Sequence, residues 1–144
     1  LVASTAAHAE DASVAKRLTE RGIKYEIDKD GDYKVTYNYK KEGRSQLLFV
    51  SGHTEKVGGW VIREVFAPVA KVSEDKIDGA QALELMRASS KLKFGSWEIR
   101  GDVLYLVAKL PDTVNAAQLE AAMDIIAESA DDKEIEISGS RDTY

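Results

Sequence analysis

The sequence predicts an α+β domain in which an antiparallel sheet is packed with helices, in the order α-β-β-β-β-α-β-β-α. Three observations carry this. Apolar residues recur at a period of two in runs between Tyr25 and Phe66 and again from Trp97 to Leu110, with Asp30-Gly31 and Arg100-Gly101-Asp102 as turns. Helical spacing governs three other stretches, near residues 10–21, 81–92 and 115–130. No linker, low-complexity segment or convincing repeat divides the 144 residues, so a single domain is expected over 10–144.

The first helix is expected over Glu10 to Arg21. Val14, Ala15 and Leu18 lie together, Lys16, Arg17, Glu20 and Arg21 face water, and Gly22 follows as the C′ residue. Tyr25 and Ile27 then alternate with Lys24, Glu26 and Asp28 as a first strand. Tyr33, Val35, Tyr37 and Tyr39 share one face of the second, Gln46 to Val50 forms the third, and Trp60 to Phe66 the fourth. Ser51 to Gly59 reads as a polar loop or rim. Pro68, which has no N–H to donate, is expected to end the sheet segment, with Val69 to Ile77 bridging onward.

Asp78 is the expected N-cap of a second helix with Ala82, Leu85, Met86 and Ser89 on its apolar face, widened by Leu83 and Leu92. Gly95 sits where that segment needs a left-handed residue. Trp97 and Ile99 alternate with Glu98 and Arg100. The strand after the turn is apolar on both faces, Val103, Tyr105 and Val107 against Leu104, Leu106 and Ala108, which places it centrally or under cover on each side. A third helix follows Pro111, capped by Thr113 or Asn115, with Ala116, Leu119, Met123 and Ile126 as its stripe, widened by Ala122 and Ile125. From Asp131 two readings stand: Ile135 and Ile137 alternate like a strand, or the helix continues.

The pattern Lys91-Leu92-Lys93-Phe94-Gly95-x-Trp97, followed by a hairpin and Leu110-Pro111, resembles the YbjN family of bacterial sensory transduction regulators. The likeness runs over roughly Ala12 to Ala130 and includes Gly22 to Asp28 and the helix from Asn115 to Ala130. The resemblance implies a fold similar to type III secretion chaperones, which bind proteins and perform no chemistry. A homodimer is expected on that resemblance alone.

The apolar fraction of 44% and charged fraction of 31% fit a globular chain rather than a disordered one. With a net charge of −5 and no basic cluster, neither nucleic acid nor an anionic membrane surface is an expected partner. No apolar run is long enough for an integral membrane segment. The absence of cysteine excludes disulfides and thiolate chemistry. Residues 1–9 are small and apolar and end in Ala7-His8-Ala9, the Ala-x-Ala form of a signal-peptidase site. They are read as the remnant of a secretory signal, giving a periplasmic or secreted address. The alternative is a disordered or helical arm on a cytoplasmic protein. A periplasmic address would rule out service as a cytoplasmic secretion chaperone.

No catalytic constellation is legible. Asp28, Asp30 and Asp32 alternate as in a calcium loop, but the positions that loop requires as glycine and glutamate hold Tyr33 and Tyr39. His53-Thr54-Glu55 has no second titratable partner at a telling spacing, and no phosphate-binding glycine loop or nucleophile elbow occurs. The chain is therefore expected to be no enzyme and to hold no cofactor or metal. The aromatics are the better candidates. Most are expected in the core, yet a single-layer sheet with helices on one face leaves its other face open, and an aromatic left exposed would suit a partner chain. Tyr37, Tyr39 and Trp60 are the candidate partner-binding residues. The expected function is that of a protein-binding module, a chaperone or regulatory adaptor. The alternative is a small-molecule or lipid carrier with a pocket between sheet and helices.

Overall fold

A computed structural model describes residues 11–139 and 141–144. The expected signal remnant at 1–9 lies outside them. Helix α1 (Ala12–Glu20) begins two residues later than expected because Asp11 is its N-cap, accepting a hydrogen bond from the Ser13 N–H at 2.8 Å. Val14 and Leu18, four residues apart on one face, are its buried side chains. Three strands follow as a meander: β1 (Glu26–Ile27), β2 (Tyr33–Tyr39) and β3 (Arg44–Val50). The acidic triplet between the first two is a turn. Asp28 Oδ1 accepts from the Asp30 and Asp32 N–H groups, and Gly31 takes a φ of 84°.

The polar stretch at Ser51–Gly59 is more than a loop. Its residues Glu55–Val57 form a short strand, β4, which folds back on β5 (Trp60–Lys71) through Gly58 and Gly59, both at positive φ. Pro68 does not end β5, which runs on to Lys71. The ladder to β7 (Val103–Pro111) tolerates the missing N–H with a register shift between Pro68 and Ala70. Between them in sequence lie α2 (Gly79–Ser89) and β6 (Ser96–Arg100), and α3 (Ala116–Ser138) closes the chain. The strand order is β1-β2-β3-β5-β7-β6, antiparallel throughout, with β4 beside β5. The expected order thus holds, with one strand added. The doubly apolar strand β7 is interior, flanked by β5 and β6, which meets the first of the two placements its composition suggests.

The core lies on one face of the sheet. Tyr33, Val35, Leu48, Val50, Val65, Ala67, Leu104 and Leu106 meet Val14 and Leu18 of α1 and Leu119, Met123 and Ile126 of α3. Asn115 caps α3 in a reciprocal pair with Gln118, and the helix takes in the ambiguous tail, reaching Ser138. Helix there, not strand, is the outcome. Its inward stripe ends in Asp131 and Glu134, which lie buried against Arg44 of β3. On the opposite face, where no helix packs among the described residues, Phe49 stacks on Phe66 at 5.3 Å and Phe66 meets Tyr105 edge-on at 5.9 Å.

Candidate protein-docking surface

Helix α2 is well made locally. Asp78 accepts from the Gln81 N–H at 2.9 Å, and the Gln81 side chain accepts from the Asp78 N–H at 3.1 Å. At its other end Ser89 Oγ donates to the Leu85 carbonyl and accepts from the Trp97 N–H, both at 2.9 Å, which fastens the helix to β6. The apolar face expected to cover the sheet does not do so. No residue of α2 is buried, Leu83 is 52% exposed and Met86 69%. Of that expected face only Leu85, and Leu92 beyond the helix end, pack against the core.

Two grooves result. One, of about 500 Å³, runs between α2 and the last turns of α3, with Ile77, Ala80, Leu83 and Ile137 among its apolar walls and Lys133 and Glu136 on its rim. The other, of about 320 Å³, lies between α2 and β6 and is lined by Ala82, Leu85, Met86, Trp97, Ile99 and Leu104. Lys133 Nζ stands 5.5 Å from the Trp97 ring centre, so a cation spans the divide between the grooves. Strand β6 is the edge of the sheet, paired on one side by β7. Exposed apolar side chains, a polar rim and a sheet edge thus converge on one surface, features that polypeptide-docking surfaces use.

The three aromatics singled out in sequence are placed differently. Tyr37 is half-buried against α3, where its hydroxyl donates to Asp124 at 2.8 Å; burial and that bond push its pKa far up. Tyr39 lies beside it, ring centres 6.4 Å apart, its pKa pushed up to about 12 by burial and then by Asp131, Glu128 and Asp124. Trp60 is 63% exposed at the β4–β5 turn. Strands β2 and β5 run the same way, with Tyr33 and Val65 both level with Val50, so Tyr39 and Trp60 stand at opposite ends of the sheet. They do not form one site. Leu83 and Ile99, which the sequence marks as apolar positions of α2 and β6 but not as partner-binding residues, belong to this surface; the legible signal is that Ala82, Leu83, Leu85 and Met86 wrap a wide arc of a short helix.

Two polar clusters lie elsewhere on the described residues. Asp131, Glu134 and Asp142 offer carboxylate oxygens within 4.8 Å of one another, but the Arg44 guanidinium already sits among them, 2.9 Å from Asp131 and 3.5 Å from Glu134. The cation there is an arginine. A smaller hollow of about 240 Å³ is lined by Asp32, Ser51, His53, Glu55, Glu64 and Arg100 among others. Burial raises the Asp32 pKa against the hydrogen bond from Gly52, while Ser51 Oγ donates to the His53 carbonyl and is not aimed at a base. Neither cluster assembles a nucleophile with its base.

The fold is similar to that of a chain in the structure of the HopA1–SchA chaperone–effector complex, with a TM-score of 0.57 and 8% sequence identity, covering 83% of this chain and 88% of that one. At such identity the likeness is one of fold, a type III secretion chaperone-like α+β arrangement. No family model matches the chain, and no curated protein matches its sequence.

Proposed function

We propose that this protein is a non-enzymatic protein-binding module, a chaperone-like or regulatory adaptor, and that the α2–β6 surface receives a segment of its partner polypeptide. The observation that carries the proposal is a helix with no buried residue, which presents Met86 beside Trp97 and Ile99 of the edge strand β6 and Leu83 in the groove against α3. The fold's likeness to a chain of a chaperone–effector complex supports the same reading. So does the resemblance to the YbjN family, which also supplies the regulatory alternative within it. A periplasmic or secreted address follows from Ala7-His8-Ala9, with a cytoplasmic one as the alternative.

The carrier alternative is less well supported. The space between sheet and α3 is filled by side chains such as Leu48, Leu104, Met123 and Ile126, all fully buried, and the larger volumes lie outside that core.

The test is site-specific photo-crosslinking in the native host, with the probe at position 86 and a control probe at Thr36, an exposed residue of β2. A discrete adduct from position 86 that is absent from position 36 and lost on Leu83→Glu is the expected result. Equal adducts from both positions, or none from 86, would remove the assignment. The mass of the adduct separates a partner from a second copy of the chain, the homodimer reading.

A further inference from the structure

Strands β3 and β5 share register at Phe49↔Phe66 and Val50↔Val65 and then part. The Pro68/Ala70 irregularity carries β5 away along β7, so the flank of β3 from Arg44 to Leu48 has no strand beside it on that side. Inside the gap the Gln46 amide nitrogen bridges the carbonyls of Leu47 and Pro68, each at 2.9 Å. Gln46 is fully buried, and its Oε1 has no donor among the described residues. That is an unusual cost inside a folded domain.

Residues 141–144 fill the rest of the gap. The Ser45 N–H donates to Asp142 Oδ2 at 3.1 Å and the Leu47 N–H to the Tyr144 carbonyl at 2.6 Å. Facing the other way, the Thr143 N–H donates to Glu134 Oε1 at 2.6 Å. Arg44 donates to the Arg141 carbonyl at 3.2 Å, and Arg141 pairs with Asp75 in the turn after β5. The Asp142 carboxylate and the Tyr144 carbonyl thus serve alternate N–H groups of β3, while the N–H groups of Thr143 and Tyr144 turn away to Glu134, so the segment lies along the flank of β3 as an extended acceptor rather than as a paired strand. The segment is held by polar contacts rather than by burial, since Arg141, Asp142 and Thr143 are all exposed.

We infer that this gap is a strand-addition site for an extended, acidic segment of a partner polypeptide, and that residues 141–144 occupy it in cis as a built-in competitor. The chemistry of the occupant is read from the residue now seated there. It needs a carboxylate in the place of Asp142, facing the Ser45 N–H and Arg44, and a main-chain carbonyl two residues later for the Leu47 N–H. A segment tethered this closely competes at an effective concentration in the millimolar range. An outside strand therefore binds well only when the tether is loosened. The inference rests on the reading of the protein as a polypeptide binder, but it concerns a different surface from α2.

The experiment is NMR titration of the full chain, ¹⁵N-labelled, with a synthetic peptide of residues 137–144, for the wild type, Asp142→Ala and Met86→Glu. Asp142 is exposed, so its variant should fold. In Asp142→Ala the Ser45 and Leu47 amides are expected to follow the peptide at roughly ten-fold to hundred-fold lower concentration than in wild type. Met86→Glu should titrate as wild type does. Three outcomes overturn the inference. They are a segment that stays docked in Asp142→Ala, a vacated gap whose amides ignore millimolar peptide, and shifts confined to α2 and abolished by Met86→Glu. The last would leave the α2 assignment standing, and intact titration at β3 with no crosslink at position 86 would do the reverse.

Discussion

Arg63 offers the sharpest test of what holds the helices to the sheet. It lies on β5 with its side chain 1% exposed and makes three charge-assisted contacts. Its Nε donates to Asp112 at 2.7 Å, Nη1 to the Ser51 carbonyl at 2.6 Å, and Nη2 to Asp11. Asp11 is the N-cap of α1, and Asp112 also binds Arg17 of that helix at 3.0 Å. A helix of nine residues is not stable alone in water, so α1 depends on this network and on Val14 and Leu18. Replacing Arg63 by methionine keeps most of the volume and leaves two carboxylates without their shared cation. Breaking a buried pair from one side costs about 3–5 kcal/mol. Here the lower end applies, because Asp112 keeps Arg17 and both carboxylates reach water, at 21% and 34% exposure. At a urea slope of about 1.5 kcal/mol/M, a loss of about 3 kcal/mol moves the unfolding midpoint down by about 2 M. Trp97, half-buried against α2 and α3, reports the transition by fluorescence. A midpoint shift below about 0.5 M would refute the reasoning. It would mean that desolvating the guanidinium already cancels everything its partners return.

Burial raises the Asp112 pKa, but the hydrogen bonds from Arg63 and Arg17 outweigh it and hold the group below its ordinary 3.8. The folded-state value is the depressed one, so this stability is present above about pH 4 and drains away as pH falls through the folded pKa. Urea midpoints measured from pH 5 to pH 2 should drop more steeply for wild type than for Asp112→Asn, and parallel curves would contradict this. Gly95 has a φ of 83°, and a Cβ there would stand 2.9 Å from Ile126 Cδ1 and 3.1 Å from the Val107 carbonyl. Gly95→Ala should therefore cost about 2 kcal/mol or more in the same assay, and a cost under about 0.5 kcal/mol would show that Ile126 yields freely.

Local signals carried most of the fold. The caps at Asp78 and Asn115 and the turns at Gly31 and Gly101 involve neighbours within a few residues, and the structure has them where the sequence placed them. The failures have long-range causes. The stretch after Asp131 reads as an apolar alternation because Ile135 and Ile137 stand out, yet α3 turns Asp131 and Glu134 inward to meet Arg44, some ninety residues earlier. An inward carboxylate is counted as surface by any rule based on polarity alone. Pro68 reads as a terminator in sequence, but a bulge against β7 absorbs the missing donor. The candidate surface was hidden for a related reason. Periodicity showed that α2 has an apolar face, and could not show that the sheet leaves that face uncovered.

The narrow join between β3 and β5 divides the sheet mechanically. On one side β2 and β3 pair along their whole length, and on the other β5 and β7 pair from Ile62–Pro111 to Lys71–Val103. Two residue pairs and the bond from the Ser51 N–H to the Glu64 carbonyl connect them in the backbone. Helix α3 crosses both parts, with Leu119, Met123, Ile126 and Ala130 in the common core. The two leaves are therefore expected to open as distinct cooperative units sharing one brace. Hydrogen exchange followed residue by residue should show amide protons of β2–β3 and of β5–β7 in separate opening events, each of lower free energy than the loss of α3, and a single common opening free energy for both leaves would contradict this.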